Sequence, residues 1–132
     1  MAKKVKLTRV EWEIMESVWA LGGAVSARQV HNHAFPSGEK AYTTVQTLLN
    51  KLNEKGWLER EKIGMVNFFT PAVSRDKMIS RELQFYIAEL FDGSVPALAR
   101  FLIKTNDLSI KEIKTIKAYI EAREKEMESS RD

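Results

Sequence analysis

The stretch from Ala41 to Gly56 constrains this chain more than any other part of it. Val45, Leu48, Leu49 and Leu52 recur at i, i+3, i+4 and i+7, which on a helix makes one narrow apolar stripe. Gly56 supplies the residue with which such a helix stops, because glycine enters the left-handed region without a Cβ clash. At about 100° per residue, the opposite side carries Thr43, Gln46, Thr47 and Asn50. That side is uncharged yet dense in short hydrogen-bonding groups. The pattern predicts a helix over Ala41 to Lys55 that buries one edge and offers a neutral, polar face.

Two shorter helices are predicted upstream. Thr8 and Glu11 have the spacing of a capping box, and Leu7 and Trp12 that of a hydrophobic staple. Ile14, Met15, Val18, Trp19 and Leu21 then form the expected inner face, with Gly22-Gly23 as the stop. Glu11, Glu13 and Glu16 fall where surface is expected. Ser26 and Gln29 repeat the capping box, with Ala27, Val30 and Ala34 facing inward. Phe35-Pro36-Ser37-Gly38 reads as a turn. Downstream, Trp57 to Arg60 and Val66 to Thr70 read as extended runs flanking Glu61-Lys62-Ile63-Gly64. This predicts a β-hairpin with a basic tip, closed by Pro71. Trp12, Trp19 and Trp57 read as core residues.

Everything after Ser74 reads as helix. Ile79, Leu83, Tyr86 and Leu90 form one stripe, and Met78 and Phe85 begin a second. Asp92-Gly93-Ser94 is a break, followed by a short helix through Leu98, Phe101 and Leu102. Asn106-Asp107 breaks again, and Ser109 with Glu112 forms a third capping box. The last helix carries Ile110, Ile113, Ile116 and Ile120, and the tail Glu128 to Asp132 is expected to fray. Thin helices with more than one apolar side are too small for an independent core and suit burial against a second copy. The expected dimerisation residues are Ile79, Leu83, Tyr86, Leu90, Leu98, Phe101, Leu102, Ile113, Ile116 and Ile120. The predicted fold is mainly α with a small β-hairpin wing. A winged helix-turn-helix domain over 1–73 precedes a helical dimerisation domain over 74–132.

Composition narrows the function. Residues 1–73 hold ten Lys/Arg against seven Asp/Glu, and residues 74–132 hold eleven of each, so the whole net charge of +3 lies in the first part. That asymmetry fits an electrostatic footprint on nucleic acid. Cysteine is absent, which removes disulfides, thiolate metal sites and cysteine nucleophiles, and a reducing cytoplasm is the expected location. No apolar run approaches the ~20 residues that span a bilayer, and no signal peptide follows the basic N-terminus, so no membrane partner is expected. His31 and His33 are two apart and would lie about 200° apart on a helix, too far to face one metal. No phosphate-binding glycine loop or nucleophile elbow occurs. We therefore expect neither an enzyme nor a bound cofactor or metal.

Three helices followed by a hairpin is the order of a winged helix-turn-helix, whose recognition helix enters the DNA major groove. Thr43, Gln46, Thr47 and Asn50 are the expected base-reading residues. Glutamine and asparagine can bond adenine bidentately, and the threonine methyl can pack on the thymine methyl. Arg28, Lys40, Tyr42, Thr44, Lys51, Arg60, Lys62 and Asn67 are the expected contacts to the DNA backbone, which position without reading sequence. The alternative is a winged-helix module that binds protein and not DNA. An acidic third-helix face would favour it, and this face is neutral.

The segments Leu7 to Met15, Ala41 to Leu52, Glu54 to Leu58 and Leu90 to Ser94 resemble the penicillinase-repressor family, which includes the methicillin-resistance and copper-responsive repressors of bacteria. The resemblance implies a homodimeric winged-helix repressor of double-stranded operator DNA, with the DNA-reading segment over Tyr42 to Lys51. It also implies a sensor-controlled protease as a partner in the β-lactam branch, where an Asn-Phe bond is cut. The corresponding bond here is Arg100-Phe101, so the sequence departs from the family at that point. The paired cysteines of the copper-responsive branch are missing, which excludes that switch.

Overall fold

The computed structural model describes residues 7–131. They divide into two compact units, the first ending at Leu83 and the second beginning at Gln84. The elements run α1 (Arg9–Leu21), β1 (Val25–Ser26), α2 (Ala27–Ala34), α3 (Tyr42–Glu54), β2 (Leu58–Ile63), β3 (Val66–Pro71), α4 (Arg75–Phe91), α5 (Val95–Thr105) and α6 (Ile110–Ser130). All three capping boxes form: Thr8 with Glu11, Ser26 with Gln29, and Ser109 with Glu112. Each satisfies two amides that a helix N-terminus leaves unpaired.

α3 ends in a Schellman motif. Trp57 N–H donates to the Leu52 carbonyl at 3.0 Å and Gly56 N–H to the Asn53 carbonyl at 3.1 Å. Gly56 has φ of 87°, where a side chain would be strained. The motif carries its usual apolar contact, because Leu52 and Trp57 both belong to the core. It also turns the chain straight into β2.

The first unit has one core. Ile14, Met15 and Val18 of α1, Val30 of α2, Val45, Leu49 and Leu52 of α3, and Leu58 and Phe69 of the hairpin are buried together. Leu48 sits at its edge, as do Trp12 and Trp19, which meet edge-on at 5.7 Å. Trp19 Nε1 donates to the Val73 carbonyl at 3.1 Å, which ties α1 to the segment after the wing. Met78 from α4 completes this core.

Several expectations are corrected. Leu21 is exposed, because Gly22 turns the chain away one residue later. Glu11 is buried, at 3% exposure, where surface was expected. It is held by two bonds: its Oε1 accepts from Thr8 N–H at 2.9 Å, and its Oε2 accepts from Lys55 Nζ at 2.8 Å. Lys55 is the C-cap of α3, so this pair joins the start of α1 to the end of α3. Burial alone would push the Glu11 carboxyl up. The Lys55 and Thr8 bonds outweigh it and hold the group below the usual glutamate range. The tail expected to fray continues α6 to Ser130, with Asp132 outside the described residues.

The sheet is three-stranded and antiparallel, in the order β1-β3-β2. β1 was not expected from the sequence; Val25 pairs with Phe69 and Ser26 with Phe68. The hairpin is longer and tighter than expected. Glu61, Lys62 and Ile63 lie in β2, not in the loop, and Ile63 pairs with Val66 across a two-residue turn, Gly64-Met65. Positive φ at Gly64 alone suits a type II′ connection, whose twist matches the strands. The tip is therefore not basic. It is apolar, with Ile63, Val66 and above all Met65 exposed.

The second unit carries most of the exposed apolar surface. Asp92 and Gly93 both have positive φ and end α4 at the predicted break. Ser94 then caps α5, its hydroxyl accepting from Ala97 N–H. Ile87, not foreseen, is buried, and Phe91 packs on Phe101 at 5.7 Å. Of the ten expected dimerisation residues, Ile79 (in the first unit), Leu98 and Ile116 are half-buried. Leu83 (also in the first unit), Tyr86, Leu90, Phe101, Leu102, Ile113 and Ile120 are exposed.

Candidate nucleic-acid interface

Burial of Val45, Leu49 and Leu52 fixes the rotation of α3, and the predicted polar face turns outward as a result. Thr43, Thr44, Gln46 and Thr47 are exposed and Asn50 is half-buried. The Thr47 hydroxyl donates to the Thr43 carbonyl at 3.0 Å, so its hydrogen is spent within the helix. What Thr47 offers outward is a methyl group and acceptor lone pairs. Ala41, at the N-cap of α3, makes no side-chain cap bond.

The start of α3 is braced by α2. The Arg28 guanidinium lies 4.1 Å from the centroid of the Tyr42 ring, within cation–π range. His31 meets the same ring edge-on at 6.0 Å, and its Nε2 donates to the Lys40 carbonyl at 2.7 Å. Arg28, Lys40 and Tyr42, expected separately, thus form one assembly at the first turn of α3. His33 points elsewhere, with its Nδ1 3.0 Å from the Ser17 hydroxyl.

The wing sorts its charges by strand alternation. Arg60 is opposite Phe69 and Lys62 opposite Asn67, whereas Glu59 faces Thr70 and Glu61 faces Phe68. Directly opposed residues share a face of the sheet, so Arg60 and Lys62 lie on one side and the two glutamates on the other. The cationic side is the one turned toward α3: Arg60 Nη1 donates to Asn50 Oδ1 at 2.7 Å. Between helix and wing runs a cleft of about 150 Å³. Tyr42, Gln46 and Asn50 line it from α3, and Met65, Asn67 and Phe69 from the hairpin. The structure brings Gln46, Asn50, Arg60 and Asn67 together. Lys51 is exposed on α3, one residue beyond Asn50. Sequence reasoning missed Met65, whose only signal was the glycine before it. Arg100-Phe101 lies inside α5, in the other unit.

Three packed helices, a third helix with a polar outer face and a hairpin laid beside it define a winged helix-turn-helix protein. The chain belongs to the penicillinase-repressor family, whose family model matches residues 7–122. It is 24% identical to the penicillinase repressor of Staphylococcus aureus over 115 residues, covering 87% of this chain and 90% of that protein. It is 27% identical to the transcriptional regulator BlaI of Mycobacterium tuberculosis over 93 residues, covering 70% of this chain and 67% of that one. A solved structure of the DNA-binding domain of the repressor BlaI aligns with 27% identity and a TM-score of 0.49, covering 57% of this chain and 90% of that one. These relatives are regulators of transcription and not enzymes. Among the described residues, no helix is long and apolar enough to cross a membrane.

Proposed function

We propose that this chain is a DNA-binding transcriptional repressor that acts in the cytoplasm as a homodimer on a pseudopalindromic operator. One observation carries the reading: the neutral hydrogen-bonding face of α3 lies beside the cationic side of the wing, with Glu59 and Glu61 turned to the other side. Thr43, Gln46, Thr47 and Asn50 form the base-facing side. Arg28, Lys40, Tyr42, Thr44, Lys51, Arg60, Lys62 and Asn67 are the groups for phosphate and sugar. Family membership supports the repressor role.

Homodimerisation is supported by the exposed apolar side chains of α4, α5 and α6, which include Leu90, Phe101, Ile113 and Ile120. Large apolar side chains left exposed in this number on three helices are what an interaction surface requires. A two-fold dimer places two recognition helices one DNA turn apart, or a multiple of it. We read the inducing step as separate from cleavage at Arg100-Phe101, because that bond lacks the asparagine and sits within a helix.

The apolar wing tip favours a second reading, a module that docks on protein. Reversing the charge of Lys51 and Lys62 separates the two. The repressor reading expects retention on duplex DNA to collapse in an electrophoretic shift assay. Binding to duplex DNA that is absent beforehand, or indifferent to both changes, would overturn it.

A further inference from the structure

The Asn50–Arg60 contact changes what one residue of the interface can do. An asparagine that reads adenine needs both ends of its amide: the oxygen accepts from N6 and the nitrogen donates to N7. Here the oxygen already accepts a charge-assisted bond of 2.7 Å from Arg60 Nη1. Adenine reading by Asn50 would first have to break that bond. The guanidinium, in contrast, has five N–H donors in a planar fork and uses one of them on Asn50. Asn50 lines the cleft from α3, and strand alternation gathers Arg60, Lys62 and Asn67 on the side of the wing that faces it.

We infer that Asn50 is a positioning residue for Arg60, and that Arg60 is the group through which this part of the interface holds DNA. The ligand chemistry is a pair of hydrogen-bond acceptors: the O6/N7 edge of guanine or two phosphate oxygens. Asn50 limits the rotamers of a long, exposed side chain, so less freedom is lost when the fork meets DNA. The inference rests on the proposed DNA-binding function and refines the role of one residue in it.

The test is a double-mutant cycle on the full chain, using the duplex most enriched from a random library. Asn50→Ala, Arg60→Ala and the double variant are compared with the parent by fluorescence anisotropy over a salt series. Each single change is expected to weaken binding roughly ten-fold, and the double change no more than the stronger single one. Two sources of the acceptor pair are told apart by the salt dependence. If Arg60 holds phosphate, both single variants flatten the slope of log K against log salt by about one unit, although asparagine is neutral. If it reads guanine, both relax the preference at the same guanine position. A cycle in which the two losses multiply, to roughly a hundred-fold, would overturn the inference while leaving DNA binding intact. A parent that enriches no duplex would overturn both it and the function on which it rests.

Discussion

Replacing Lys55 by methionine isolates the buried carboxylate that joins α1 to α3. Methionine keeps an unbranched apolar stem, in a side chain one atom shorter than that of lysine, and removes the charge and the donors. Glu11 then keeps its bond from Thr8 N–H but loses the one from Lys55, with its own side chain at 4% exposure. A charge-assisted hydrogen bond contributes about 1.5–3 kcal/mol, and stranding a buried charge costs more. The Lys55 side chain is 35% exposed, and water recovers part of that loss. The expected destabilisation at pH 7 is about 2 kcal/mol, or about 1 M off the urea midpoint. The pH dependence follows from the lowered Glu11 pKa. In the parent chain, this group contributes stability fully above the ordinary glutamate range. That contribution is lost as pH falls through the lower folded value. In Lys55→Met, the Lys55 bond and charge that offset burial are gone and only the Thr8 bonds remain to lower the pKa, so acid costs the variant less at this site than it costs the parent. The gap between the two proteins therefore narrows from about pH 5 downward. Trp12, Trp19 and Trp57 all lie in the first unit, so tryptophan fluorescence in urea reports the relevant unfolding. Equal midpoints at pH 7, or a gap unchanged at pH 3.5, would refute the reasoning.

Other substitutions probe separate links. Leu49→Ala, at a position with 0% exposure, is expected to cost about 2–5 kcal/mol in urea unfolding by opening a cavity under α3. Gln46→Ala is expected to cost about 1–3 kcal/mol at a specific site and almost nothing on random duplex, as measured by anisotropy. Lys62→Ala is expected to weaken all duplexes alike and to reduce the salt slope by about one. Leu90→Glu, on the exposed side of α4, is expected to shift the chain from dimer to monomer in sedimentation equilibrium without lowering first-unit stability; a dimer that persists would relocate the interface.

The legible parts of the fold are those set by local chemistry. Three capping boxes and the stop at Gly56 each involve residues no more than five positions apart, and each formed as read. The polar face of α3 was legible for the same reason, because helical period alone separates Gln46 from Leu49. What escaped was decided at a distance. The burial of Glu11 depends on Lys55, 44 residues away, and nothing near Glu11 announces it. β1 is two residues long and exists only because β3 lies beside it. The run of charge at Glu61-Lys62 suggests a loop, whereas cross-strand pairing carries β2 on to Ile63 and moves the tip to Gly64-Met65. The same alternation, Leu58-Glu-Arg-Glu-Lys62, was in the sequence and sorts the wing's charges once the strand is known. The Asn50–Arg60 bond needed helix and strand to be placed together before it was visible.

The central claim is that the outer face of α3 reads duplex DNA, and selection from a random duplex library at near-physiological salt tests it most directly. The account predicts enrichment of an inverted repeat, with half-sites about one helical turn apart or a multiple of it, and loss of that preference in Gln46→Ala. Recovery of no motif, with only weak and salt-sensitive retention of every sequence, would contradict it.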